Sequence, residues 1–117
     1  MRDFRKYDVW KLSHELFLEI YRLSSSFPAN ERYGITSQLN RASLSIPTNI
    51  SEGCGRDSDK DFNRFIQIAQ GSAHEVEYIL EVCQNLEFIE LRVYEELNKK
   101  INHIKQKLYH LSKKLKE

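Results

Sequence analysis

Apolar side chains recur every three or four residues along almost the whole chain, and nowhere do polar and apolar residues alternate long enough to mark a strand. Such spacing places the apolar residues on one face of a helix, whereas a half-buried strand needs a period of two. The chain is therefore expected to be all-α. Its last stretch is the most regular: Leu97, Ile101, Ile104, Leu108, Leu111 and Leu115 stand at intervals of four, three, four, three and four. That is the seam of a helix packed along a long partner.

The rest of the chain divides by its breakers. The spacing predicts a first helix from Asp8, as N-cap, to about Ser26, with Val9, Leu12, Leu16, Ile20 and Leu23 inward. Phe27-Pro28-Ala29-Asn30 ends it, since Pro28 pushes Phe27 out of the α region, and Asn30 is placed to cap the next helix. That second helix carries Ile35, Leu39, Ala42, Ile46 and Ile50 on one face. Pro47 lies inside it, which predicts a kink between Ser43 and Pro47. Gly53 and Gly55 read as its stop.

Ser58 followed by Asp61 resembles a capping box and opens a third helix, striped by Phe62, Phe65, Ile66, Ala69, Ala73, Val76, Leu80, Cys83 and Leu86. Mid-helix Gly71 is costly, so close approach of a neighbouring backbone is expected there. Four helices with short connections imply an antiparallel up-down-up-down four-helix bundle, a single domain over residues 1–117.

Charge is near balance, with 18 Lys and Arg against 17 Asp and Glu and a net charge of +1, which argues against a uniformly basic nucleic-acid binder. The balance hides a segregation. Residues 98–117 hold seven Lys and one Glu, so the preceding part of the chain is acidic. No apolar run approaches the roughly 18 residues of a membrane span, and the N-terminal segment leads into an amphipathic pattern, so a cytoplasmic protein without membrane contact is expected. Cys54 and Cys83 stand alone, without the paired spacing of a zinc knuckle or redox motif, and read as reduced, small apolar residues.

The stretch from Phe27 to Gly71 carries more than periodicity. Phe27-Pro28, Glu31, Tyr33-Gly34, Gln38, Arg41-Ala42, Ser45-Ile46-Pro47, Asn49-Ile50, Glu52-Gly53 and Arg56 resemble the proteins encoded by intervening sequences inside bacterial 23S ribosomal RNA genes. Phe65, Ala69, Gly71-Ser72, Glu75 and the early Val9-Trp10 continue the resemblance. It implies a small four-helix bundle that assembles with itself into a ring, a pentamer by preference. It also links the chain to the accessory variability-determinant proteins of diversity-generating retroelements, similar bundles associated with RNA and a reverse transcriptase. By that analogy the partners would be structured RNA, or a reverse transcriptase or other protein. Three departures stand out. Asn40-Arg41 replaces a basic pair, Asp57-Ser58-Asp59 replaces basic residues, and Phe88 stands where Gly-Tyr is common before the last helix.

Enzyme chemistry finds little foothold. None of His14, His74, His103 and His110 has an acidic residue three positions before it, as a di-iron bundle requires, and no two are four apart as in a helical zinc motif. Gly53-Cys54-Gly55 lacks the strand and Lys-Ser/Thr of a phosphate loop. Cys54, with Arg56 nearby, is the one candidate reactive thiol. No catalytic residue, metal or cofactor is expected.

Two polar features remain. Gln38, Arg41, Ser45, Asn49 and Glu52 form a stripe at intervals of three, four, four and three, read as a hydrogen-bonded helix or subunit interface in which Arg41 is also a candidate RNA contact. Arg56, Lys60 and Arg64, with Lys105, Lys113 and Lys114 of the tail, are the other candidate RNA contacts. The plain alternative for the tail lysines is a solvated helix end that complements the dipole. Tyr7, Trp10, Phe17 and Tyr21 exceed what a monomeric core needs and are expected to face a neighbouring subunit.

Overall fold

The computed structural model describes residues 2–117, and every regular element among them is helical. After a 3₁₀ turn at Phe4–Lys6, α1 spans Asp8–Ser24, α2 Ile35–Cys54, α3 Asp59–Asn85 and α4 Leu91–Leu115. The helices pack in chain order around the bundle: α2 lies most extensively on α3, α3 on α4, α1 on α2 and, more lightly, on α4. The molecule is 43 Å long. α3 alone, at 1.5 Å per residue, accounts for about 40 Å of that.

The core is the sum of the apolar stripes. Val9, Leu16 and Ile20 of α1, Leu39, Ala42, Ile46 and Ile50 of α2, and Leu97, Ile101, Ile104 and Leu108 of α4 are buried, as is every expected α3 residue from Phe62 to Cys83. Leu86, expected inside, is exposed because α3 ends at Asn85. Ser58 caps α3 as its sequence suggests, its hydroxyl accepting from the Asp61 N–H at 3.0 Å.

Other termini differ from the expected ones. Tyr7, not Asp8, is the N-cap of α1 and offers no side-chain cap; Asp8 turns instead to Lys107, 2.8 Å away on α4. Asn30 does not cap α2. Ala29–Glu31 form a 3₁₀ turn, α2 starts later at Ile35, and its first N–H is met at 3.4 Å by the Glu31 carboxylate. The α2 helix runs unbroken through buried Pro47.

The glycines also divide differently. Gly55 is the C-cap of α2, but Gly53 lies inside the helix, where a Cβ would meet Phe62 Cδ1 at 2.8 Å and Phe65 Cβ at 2.9 Å. Close approach therefore occurs at Gly53. At Gly71, where it was expected, a Cβ would find nothing within 4 Å.

Between α3 and α4 the chain turns through Glu87 at φ 63°, in the left-handed region. The Phe88 N–H donates to the Cys83 carbonyl at 2.8 Å and the Glu87 N–H to the Gln84 carbonyl at 3.0 Å. This is a Schellman termination made without glycine. Phe88 then packs on Phe27, ring centroids 5.5 Å apart, and Ile89 is buried.

Candidate nucleic-acid interface

Antiparallel packing brings the two basic segments, far apart in sequence, to one end of the bundle. The contact that fixes their register is buried: Ser112 Oγ of α4 donates to Asn63 Oδ1 of α3 at 2.7 Å. Lys113 and Lys114 thereby lie at the level of Lys60 and Arg64. The N-terminal segment joins the same end, since Arg2 donates to the Arg56 carbonyl at 2.7 Å and pairs with Asp59, and Tyr7 packs edge-on against Phe62. The opposite end carries Glu31, Glu81, Glu87, Glu90, Glu95 and Glu96 against Arg22, Arg32 and Arg92. The basic end is itself mixed, since Asp3, Glu52, Asp57, Asp59, Asp61 and Glu117 lie among its cations.

The candidate cations are not equally free. Arg56 is held by Glu52 at 3.5 Å and Asp61 at 3.8 Å, Arg64 by Asp61 at 3.1 Å, and both guanidinium groups lie over the Phe65 ring, 4.6 and 4.8 Å from its centroid. Asp61 therefore serves two arginines rather than closing a capping box. Lys105 Nζ sits 2.7 Å from Glu77 Oε1, and that hydrogen bond is the main reason the Glu77 carboxyl is held below the usual carboxylate range. Lys60, Lys113 and Lys114 are exposed and form no ion pair among the described residues. With Lys6 and Lys116, also exposed and without an ion pair, they are the available lysines of that end.

Arg41 lies elsewhere. With Tyr33, Ser37, Gln38, Ser45, Ser72 and Glu75 it lines a groove of about 520 Å³ between α2 and α3. The polar stripe of α2 divides there. Gln38 donates to Glu75 at 3.4 Å and Ser45 Oγ meets Ser72 Oγ at 2.8 Å, so both reach α3. Asn49 turns back to Ser45 at 2.8 Å, and Glu52 goes to Arg56.

Two further expectations change. Cys54 is buried, and burial pushes its thiol up, away from the thiolate a nucleophile needs. Arg56, expected to activate it, is spent on Phe65, Glu52 and Asp61. Cys83 is buried too and pushed up to about 11. Among the aromatics of α1, Tyr7 packs on Phe62, and Trp10 is edge-on to Phe4 at 4.8 Å and stacked on His14 at 5.0 Å. Phe4 of the N-terminal segment and Phe62 of α3 thus engage half of the surface expected to meet a subunit; Phe17 and Tyr21 contact each other, and Tyr21 stays exposed.

The sequence reading missed one surface. Gln70 and His74 of α3 face Asn102, Lys105, Gln106 and Tyr109 of α4 across a groove of about 330 Å³. Its signal was present: Asn102, Gln106, Tyr109 and Lys113 recur at four, three and four beside the apolar seam. Among the described residues no three His, Cys, Asp or Glu side chains converge as a metal site, and no helix is long and apolar enough to cross a membrane.

Comparison with known proteins agrees with this architecture. A profile described as 23S rRNA-intervening sequence protein matches residues 5–110. The crystal structure of a protein of unknown function from the S23 ribosomal protein family of Bacteroides thetaiotaomicron VPI-5482 superimposes with a TM-score of 0.82 at 32% identity, covering 90% of this chain and 98% of that one. No curated protein matches the chain.

Proposed function

The chain belongs to the 23S rRNA-intervening sequence protein family, and on that footing we propose that it is a non-enzymatic, self-associating bundle that holds structured RNA at its basic end. The observation that carries the reading is the Ser112–Asn63 register, which puts Lys113 and Lys114 on the same end as Lys60 and Arg64. Free ammonium groups at one end suit a phosphate backbone and its shape rather than a base sequence. One copy offers few such charges. Self-association, with a pentameric ring as the favoured form, multiplies them into a field able to attract a polyanion.

The test is a filter-binding titration with structured rRNA fragments. Binding should be firm at about 50 mM salt and fall steeply as salt rises, and the Lys60→Glu/Arg64→Glu variant should lose it. No binding at low salt refutes the reading. Self-association is tested separately by light scattering, where a species of 13.9 kDa at micromolar concentration would refute it.

A second reading, docking of a protein such as a reverse transcriptase without direct RNA contact, draws on the internal pairing of Arg56, Arg64 and Lys105. In that case the charge reversals leave the partner bound.

A further inference from the structure

We propose that the α3–α4 groove ending at Tyr109 is a subsite for one unpaired nucleobase of the bound RNA, with the base stacked on Tyr109 and its edge met by Gln70 and Gln106. This rests on the RNA reading above and deepens it.

Three observations carry the proposal. Tyr109 is 57% exposed although it sits on the most regular helix of the bundle. Its ring meets His110 edge-on, centroids 5.6 Å apart, and no aromatic ring stacks on its face among the described residues, so it is open to a planar partner. Stacking on an exposed aromatic is how proteins engage bases without a rigid sequence code.

The groove is also lined by amides. Gln70 and Gln106 line it without a side-chain hydrogen bond among the described residues, whereas Asn102 is spent, its Nδ2 donating at 2.8 Å to the Asn98 carbonyl and its Oδ1 lying 3.5 Å from Lys105 Nζ. Amides both donate and accept, as the edges of bases do. An apolar helix from a protein partner would leave these groups unpaired, which costs free energy.

Charge then orients the nucleotide. Inside the groove Lys105 is neutralised by Glu77 at 2.7 Å, so the groove does not attract a phosphate. One helical turn beyond Tyr109, on the same stripe, Lys113 is exposed and unpaired at the end already assigned to the backbone. A nucleotide with its base on Tyr109 and its phosphate toward Lys113 matches that gradient. A duplex cannot insert a base in this way; a loop or bulge can.

The experiment compares two probes that share a stem: a blunt, fully paired RNA duplex and a hairpin with a single-stranded loop. Wild-type protein should prefer the hairpin. Tyr109→Ala should lower hairpin affinity roughly five- to hundredfold, leave duplex affinity and the salt slope unchanged, and be rescued by Tyr109→Phe. Equal affinities for hairpin and duplex in the wild type, or an unaltered hairpin affinity in Tyr109→Ala, overturn the subsite and leave the RNA reading standing. Loss of both probes in Tyr109→Ala, or a change of its mass in light scattering, assigns Tyr109 to folding or assembly and also overturns it. If the wild type binds neither probe at low salt, the RNA reading itself fails.

Discussion

Glu87 is the position where the fold works against its own sequence. It is the only non-glycine residue with positive φ among those described, at 63°, and the hydrogen bonds from Phe88 to Cys83 and from Glu87 to Gln84 hold it there. The packing of Phe88 on Phe27 and the burial of Ile89 leave the turn little alternative. An L residue in this region pays about 1–2 kcal/mol through its Cβ. Glycine avoids that cost but gives up about 0.5–1 kcal/mol in the freedom of the unfolded chain. A carboxylate just past a helix C-terminus adds a few tenths of a kcal/mol of repulsion from the dipole. Glu87→Gly should therefore stabilise the fold by about 1 kcal/mol. For a domain of this length that is a rise in Tm of about 3–5 °C, read by circular dichroism. Glu87→Ala separates the causes, since it removes the charge and keeps the Cβ. The Gly variant should melt above the Ala variant; if the two melt together, the left-handed turn costs no more than glycine's extra freedom in the unfolded chain and the argument fails.

Two other glycines should respond in opposite directions to the same change. Gly53→Ala forces a methyl group against fully buried Phe62 and the Phe65 Cβ and should cost about 1–3 kcal/mol, whereas Gly71→Ala meets open space and should gain about 0.5–1 kcal/mol in urea denaturation. A destabilised Gly71→Ala would mean that an assembly partner occupies that face. The Lys105–Glu77 pair predicts a pH dependence. Because the folded protein holds Glu77 below its ordinary range, the pair's contribution is fully present at neutral pH and is lost as pH falls through that lowered value. Glu77→Gln should flatten this part of the acid limb in melts taken across pH, and an unchanged limb would show that the pair contributes nothing.

What could be read from the sequence was whatever a local period determines. The seam from Leu97 to Leu108 and the α3 stripe from Phe62 to Cys83 became the core because helical spacing alone decides which face is apolar. The Ser58 cap was equally legible, donor and acceptor lying within one turn. Features decided by distant partners were not. Asp8 looks like a cap until Lys107 draws it away, and Gly53 looks like a helix stop until Phe62 and Phe65 stand over it inside α2. The candidate interface shows the same limit. Spacing could group Arg56 with Arg64, but not reveal that Asp61 and Phe65 hold both. Nor could it show that Ser112 meets Asn63 and so joins two basic segments into one end.

Among the available lysines of that end, Lys60, Lys113 and Lys114 have different structural justifications. Lys113 and Lys114 close α4, where cations complement the negative pole of the helix and stabilise it whether or not any ligand exists. Lys60 sits in the first turn of α3, at the positive pole, where Asp59 and Asp61 answer the dipole and a cation opposes it. No ion pair among the described residues offsets that opposition. The fold therefore accounts for Lys113 and Lys114 without RNA but not for Lys60. Lys60→Glu should melt no lower than the wild type and still weaken RNA binding, while Lys113→Glu/Lys114→Glu should lose both a few tenths of a kcal/mol of stability and RNA affinity. A Lys60→Glu variant that binds RNA as the wild type does would remove the strongest reason to read this end as more than a solvated terminus.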